Sequence, residues 1–390
     1  MIPYGRQSIN VADLASVVKQ LAFKSLTQGS KITEFEELLA SYVGAKYAVA
    51  VSSATAGLHL AVMALDLPED SEIITSPISF VASANTILYS KHRPNFIDIE
   101  KESLNLDINL VRQEVDSNNS VKAIIPVHFA GLPCDMRSIS EFSLPKNIKI
   151  IEDAAHALGA SYANGSKVGS CQYSDMTVFS FHPVKSITTG EGGMITTNSY
   201  DLYKKLLRLR SHGINKLDDE LQFKLNSTTD GVVNPWYYEM QELGFNYRLT
   251  EIQAALGNSQ LRRLDGFIAK RAKRVAWYRK AISESTSFRP AQTCPTLTSA
   301  HHIFPIRINF TKNKFSKAQL MNSLKEEGIG SQVHYIPIPL QPYYQKLGFS
   351  TETIPESMSY YHEGLTLPLY PKLKQSQQVK VVKALNKYLM

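Results

Sequence analysis

The chain predicts an α/β fold, with a large domain on a mostly parallel sheet and a smaller C-terminal α+β domain. Three observations carry this. Apolar runs with strand character alternate with helical stretches through the first two-thirds of the 390 residues. A polar segment then interrupts the alternation, and a second α+β pattern begins beyond Ala300. Strands that alternate with helices need crossover connections, and these favour parallel pairing with helices laid on the sheet.

In order, helices are expected at Val11–Leu21 and Thr33–Tyr42, then a strand at Ala48–Val51 and a helix at Ala56–Leu65. Strand Glu72–Thr75, helix Ala82–Tyr89, strand Asn95–Asp98 and helix Leu106–Asp116 follow. Strands at Ala123–Val127, Ile148–Glu152, Thr177–Phe181 and Gly193–Thr197 complete the large sheet. Ser211–Leu243 is polar, has no obvious secondary structure and ends in Asn234-Pro235-Trp236-Tyr237-Tyr238. Such a long connection is an interface, a substrate lid or an idle loop. Thr250-Glu251-Ile252-Gln253 is a capping box opening a helix, and a basic helix runs on to about Lys280. A strand at His302–Asn309 and helices at Ser316–Glu327 and Ser376–Leu389 make the smaller unit. The boundary is expected near residue 260, giving domains 1–260 and 261–390.

With 43% hydrophobic and 20% charged residues, the composition is that of a globular protein. The net charge of +7 arises from 42 basic residues scattered among 35 acidic ones. The densest basic groups, such as Lys204-Lys205 with Arg208, have the spacing of solvated helix faces, so nucleic-acid binding is not expected. Met1–Gln7 lacks the apolar core of a secretory signal. Ala45–Leu65, the most apolar stretch, carries Lys46, Thr55 and His59, so no membrane span is expected. Cys134, Cys171 and Cys294 stand far apart and suit neither a disulfide framework nor a metal site, which fits the cytoplasm.

The chemistry gathers at strand ends. Asp153 closes the run Lys149-Ile150-Ile151-Glu152-Asp153, and Lys185 follows the apolar run Val178–Phe181. A lysine can form an imine with the aldehyde of pyridoxal phosphate, and a carboxylate can keep its pyridine nitrogen protonated. Upstream, Ser52-Ser53-Ala54-Thr55 lies between a strand and a helix. Free N–H groups at a helix N-terminus bind phosphate, and the Thr55 hydroxyl and Ser180 can add to them. Singly, Asp153 reads as a helix cap, Lys185 as a solvated lysine and Ser53 as an N-cap; their joint setting at strand ends is what points to one site.

Four blocks carry a family resemblance: Ser76-Pro77-Ile78-Ser79-Phe80-Val81-Ala82, Asp153-Ala154-Ala155-His156-Ala157-Leu158-Gly159, Phe181-His182-Pro183-Val184-Lys185 with Gly190-Glu191-Gly192-Gly193, and Gly244-Phe245-Asn246-Tyr247-Arg248-Leu249. With them the chain resembles the DegT/DnrJ/EryC1/StrS sugar aminotransferases from Leu26 to about Pro371. Val184 and His156, where many relatives have Asn and Gln, look most like the subgroup of the pseudaminic acid pathway.

The resemblance implies the aspartate-aminotransferase fold (fold type I) and pyridoxal 5'-phosphate, with pyridoxamine 5'-phosphate as its aminated form. It implies that Lys185 is the imine-forming base, that Asp153 pairs with the pyridinium nitrogen, and that Phe80 stacks on the ring. His156 would lie near the ring face or its phenolic oxygen, and backbone at Ala54 and Thr55, with Ser180, would hold the phosphate. Asn246 would reach the phosphate of a neighbouring subunit, which implies a homodimer with shared sites. His182, Arg248, His334 and Tyr335 fall on the substrate side. The implied substrates are L-glutamate and a UDP-4-keto-6-deoxy amino sugar, UDP-4-keto-6-deoxy-L-AltNAc for the pseudaminic subgroup. Rivals are an aminotransferase acting at C3 or C4 of another nucleotide ketosugar, of perosamine or bacillosamine type, and a phosphate-binding regulator of the same fold. A dehydratase of similar fold has histidine at the lysine position, which Lys185 argues against. No metal is implied.

Overall fold

Seven strands form one sheet in the order β1-β7-β6-β5-β4-β2-β3: β1 Tyr47–Val51, β2 Glu72–Thr75, β3 Arg93–Phe96, β4 Val121–Ile125, β5 Lys149–Asp153, β6 Met176–Ser180 and β7 Gly193–Thr197. The computed structural model describes residues 1–216, 219–293 and 299–389; Asp218 and Cys294 lie outside them. All neighbouring pairs from β3 to β6 are parallel, and β7 alone runs against its neighbours β6 and β1. The parallel strands are buried on both faces, so they read as continuous apolar runs.

Strand periodicity sends successive side chains into two cores. Ile150, Phe179 and Met194 enter one, beneath α2 (Ser30–Val43) and α8 (Glu251–Leu261), which pack beside α1 (Val11–Phe23). Ile151, Val178 and Ile195 enter the other, beneath α3 (Ala54–Ala64) and α7 (Tyr200–Arg210). α3 lies close to the sheet because Gly57 has no side chain; a Cβ there would meet Val178 Cγ1 at 2.9 Å. Helices α4 (Ala82–Tyr89), α5 (Ile108–Ser117) and α6 (Met136–Ser143) supply the remaining crossovers.

The smaller unit has three antiparallel strands, β12 (Phe288–Pro290), β13 (Phe304–Ile308) and β14 (Gly364–Leu367), with α10 (Lys317–Glu326), α11 (Pro342–Lys346), α12 (Pro355–Glu363) and α13 (Gln375–Leu389). Ile306, Leu324, Leu367 and Leu385 build its core, which Ile2 joins. α9 (Leu264–Ala281) belongs to both units: Phe267 packs in a large-domain core, Val275 and Tyr278 in the small one.

Three details differ from the expected elements. β3 ends at Phe96, before Asp98: the backbone there turns to pair with a neighbouring segment, Asp107 N donating to Asp98 O at 3.0 Å, while the Asp98 carboxylate accepts from the backbone N–H of Glu356 and Ser357 at 2.7 and 2.9 Å, opening α12. The 211–243 segment does hold secondary structure among its described residues: β8 (Ile214–Lys216) pairs with β11 (Tyr238–Met240), and β9 (Thr228–Thr229) with β10 (Val232–Val233). Its apolar side chains Leu225, Val232, Trp236 and Met240 are exposed. α6, α7, α12, β12 and β14 are additional elements, each too short or too polar to stand out as a periodic run.

Candidate active site

The carboxyl ends of β5 and β6 open into a cavity of about 620 Å³. Among the residues singled out from the sequence, Ala54, Thr55, Phe80, Asp153, His156, Ser180, His182, Lys185, His334 and Tyr335 line it.

One end of the cavity is the β1–α3 turn. Ser53 caps α3, its Oγ accepting from Ala56 N at 3.1 Å, which leaves the N–H groups of Ala54 and Thr55 at the helix start. Gly193, the first residue of β7, backs this turn. A Cβ on Gly193 would lie 2.6 Å from Ser53 C and 2.7 Å from Ala54 N, so only glycine allows the approach.

Asp153 ends β5 with both oxygens engaged: Ser83 Oγ donates to Oδ2 at 2.6 Å and Ala155 N donates to Oδ1 at 3.1 Å. A carboxylate has lone pairs left for a further donor. Behind it, Glu152 points to the opposite face and is fully buried. Its carboxylate accepts from His128 Nε2 at 2.7 Å, Ser174 Oγ at 2.5 Å, Thr177 Oγ1 at 3.0 Å and the Tyr162 hydroxyl. Burial acts to raise the Glu152 pKa, but these hydrogen bonds outweigh it and hold the carboxyl below its ordinary value. His128 Nδ1 accepts from Cys134 N at 3.1 Å, which fixes the tautomer that donates to Glu152.

Lys185 lies in the loop after β6, where its N–H closes a turn onto His182 O at 2.9 Å. Desolvation lowers its pKa from 10.5 to about 8, against the opposing pull of Asp153. Burial, then the charge of Lys185, pushes His156 well below its ordinary pKa and His334 down to about 3. Both imidazoles are therefore neutral at physiological pH. Tyr335 Oη lies 3.0 Å from His156 Nε2, whereas the buried His156 Nδ1 has no partner among the described residues. His334 Nδ1 meets Thr366 Oγ1 at 2.9 Å. Phe80 lines the cavity yet is 60% exposed, leaving a bare ring face.

These features fit pyridoxal phosphate. The wall presents N–H donors for a phosphate, an aromatic face for a ring, a carboxylate for a ring nitrogen, an unmatched imidazole nitrogen and a lysine of lowered pKa.

Asn246 and Arg248 are not brought into this cavity within one chain. Asn246 is exposed and pairs by backbone with Ser211. Arg248 lines a separate cavity of about 330 Å³ with Gln28, Arg208 and Arg210. Conversely, Tyr4, His302, Gln332 and Gln341 line the main cavity without having been singled out from sequence, Glu191 lines it from a motif block in which it had no assigned role, and Ser83 supports Asp153. Ser83 follows the Ser76–Ala82 block directly, and its Oγ also meets Ser79 Oγ at 2.7 Å. That proximity was its one sequence signal, whereas Tyr4 and Gln341 had none.

The family model for the DegT/DnrJ/EryC1/StrS aminotransferases matches residues 7–386. The chain belongs to this family. It is a pyridoxal-phosphate-dependent sugar aminotransferase with the type I fold. The aminotransferase is 36% identical over 382 residues to the UDP-4-amino-4,6-dideoxy-N-acetyl-β-L-altrosamine transaminase of Campylobacter jejuni, covering 97% of this chain and 96% of that protein. It is 35% identical over 387 residues to the spore coat polysaccharide biosynthesis protein SpsC of Bacillus subtilis, covering 99% and 96%. Among solved structures it resembles Helicobacter pylori PseC, described as an aminotransferase in pseudaminic acid biosynthesis, with TM-score 0.89, 32% identity and coverage of 100% and 99%. A putative sugar aminotransferase of Streptococcus pneumoniae, solved in its PLP form, superposes with TM-score 0.88 at 28% identity, covering all of both chains.

Proposed function

We propose that this aminotransferase moves the amino group of L-glutamate to C4 of UDP-4-keto-6-deoxy-L-AltNAc, the pseudaminic acid pathway reaction. The observation that carries the site's role is Lys185, a lysine of lowered pKa in the cavity that Asp153 also lines. Bound pyridoxal phosphate supplies the carbonyl carbon that receives and passes on nitrogen, and a ring that withdraws electrons. Asp153, held by Ser83 and Ala155, keeps a proton on the ring nitrogen. The freed Lys185 amine takes the proton from the donor Cα in the first half and returns one to sugar C4 in the second. A pKa of about 8 leaves part of it deprotonated near neutrality, as a general base requires. Ala54, Thr55 and Ser180 would hold the phosphate, Phe80 would cover the ring, and His156 would donate through Nδ1. His182, His334 and Tyr335 face the sugar nucleotide.

Sugar identity rests on the likeness to the Campylobacter and Helicobacter enzymes. The likeness to SpsC favours a second reading, amination of another nucleotide 4-ketosugar for a surface polysaccharide. The visible spectrum decides between them. The cofactor band of the holoenzyme bleaches with L-glutamate and returns on adding one of UDP-4-keto-6-deoxy-L-AltNAc, UDP-4-keto-6-deoxy-D-GlcNAc or dTDP-4-keto-6-deoxyglucose. Return only with the first supports the proposed substrate, and return only with another assigns that one. Steady turnover by Lys185→Ala would sink the role of the lysine.

A homodimer is part of the same proposal. α1 exposes Val11, Leu14, Val18 and Leu21, which share one helix face. Such a continuous apolar stripe suits a subunit interface. Asn246 and Arg248, which do not line the cavity of their own chain, would serve the partner's. No helix among the described residues is long and apolar enough to cross a membrane, and buried free Cys134 and Cys171 suit the proposed cytoplasmic setting.

A further inference from the structure

Residues Ile2–Arg6 form a strap along the small domain. Ile2 N donates to Gly328 O and Gly330 N donates to Ile2 O, both at 2.7 Å, giving a parallel bridge between Ile2 and Ile329. The Ile2 side chain is buried in the small-domain core. Leu369 N then donates to Tyr4 O at 2.9 Å. Gly330 permits the approach, since a Cβ there would stand 3.1 Å from both Ile2 O and Tyr4 N. Next along the chain, a Cβ on Gly5 would touch Val184 at 3.5 Å. The strap thus bridges the small domain and the residue that precedes Lys185.

Between these anchors the Tyr4 side chain lines the cavity, its ring 5.6 Å from that of His334. The same cavity is lined by Gln332, Tyr335 and Gln341, all from the small domain, whereas the proposed cofactor residues come from strand ends of the large sheet. Burial raises the Tyr4 pKa, so its hydroxyl keeps a proton to donate. No hydrogen bond from that hydroxyl to protein would have to be broken among the described residues to reach a ligand.

We propose that Tyr4 is a specificity-determining residue whose hydroxyl donates to an oxygen of the incoming sugar nucleotide and takes no part in the reaction with the amino donor. This rests on the nucleotide-sugar reading above. The backbone anchoring makes the contact inexpensive, because Tyr4 needs little ordering when the sugar arrives.

The test compares wild type, Tyr4→Phe and Tyr4→Ala as holoenzymes, following each half-reaction by the cofactor band. The glutamate half is expected within about twofold of wild type in both variants. Tyr4→Phe should raise the KM for the ketosugar about three- to tenfold with little change in kcat, the effect of one net hydrogen bond. Tyr4→Ala should raise it further. An unchanged sugar KM in both variants overturns the proposal. So does an equal slowing of both halves accompanied by a lowered Tm, because the strap would then be purely structural. If wild type accepts dTDP-4-keto-6-deoxyglucose and neither UDP sugar, the substrate assignment fails instead, and the same comparison on the accepted sugar decides for Tyr4.

Discussion

Ser83 Oγ donates to Asp153 Oδ2 at 2.6 Å, so a helix residue from the second crossover aims the carboxylate that ends the fifth strand. With Ala155 N on the other oxygen, the carboxylate plane is set before any ligand arrives.

Replacing Ser83 by alanine removes that aim and leaves the charge in place. A hydrogen bond to a charged group contributes about 1.5–3 kcal/mol, so kcat should fall by roughly 10- to 150-fold. Asp153→Asn should cost more, because it also removes the charge that, in the proposed role, would keep the ring nitrogen protonated. Single-turnover rates with glutamate measure both; equal rates for Ser83→Ala and wild type would refute the positioning role.

In its proposed role Lys185 would have to be deprotonated to capture the cofactor. Its pKa is lowered to about 8, so the rate of pyridoxal phosphate capture by cofactor-free protein should rise as pH increases from 7 to 9, with a midpoint near 8. An ordinary lysine would still be rising above pH 10. Stopped-flow absorbance over that range distinguishes the two profiles.

Glu152 has four donors: His128, Tyr162, Ser174 and Thr177. An amide oxygen accepts from two at most, so Glu152→Gln strands buried groups at roughly 1–3 kcal/mol each and should lower stability by about 2 kcal/mol or more. The pH dependence follows from the lowered pKa. The group contributes stability above its unfolded value of 4.5 and loses it as pH falls through the lower folded value. Urea unfolding at pH 7 and pH 3 should show the gap between variant and wild type shrinking at the lower pH.

The α1 stripe gives a test of assembly. Light scattering should report twice the chain mass of 43.6 kDa for wild type and the single mass for Leu14→Asp/Val18→Asp. A wild-type monomer that turns over normally would remove the shared-site proposal.

Much of this architecture was legible in the sequence because its parallel strands are buried on both faces and read as apolar runs. Ile148–Glu152 and Thr177–Phe181 fall within a residue or so of β5 and β6. Asp153 and Lys185 were legible because one closes such a run and the other comes four positions after the end of one. The strand at Asn95–Asp98 ran past β3 because Asp98 takes its partners elsewhere, its backbone oxygen from Asp107 and its carboxylate from α12, more than 250 positions away. Long-range hydrogen bonding of that kind leaves no local pattern. The same holds for Tyr4, which reaches the cavity only because Gly330 lets two backbones close together. Asn246, which the family resemblance assigns to a neighbouring subunit's site, and Arg248 both stand outside the cavity of their own chain, Arg248 lining a separate one.

The reversed strand β7 acts as a spacer. Gly193 pairs with Val51 on one side and with Ser180 on the other. The turn at one end of the cavity and the loop carrying the lysine therefore stand two strand widths apart, about 10 Å, a gap set by interstrand hydrogen bonds. On the proposed reading these are the two points that would anchor the cofactor, and their spacing is then a lattice constant of the sheet, set by the ladders on both sides of β7.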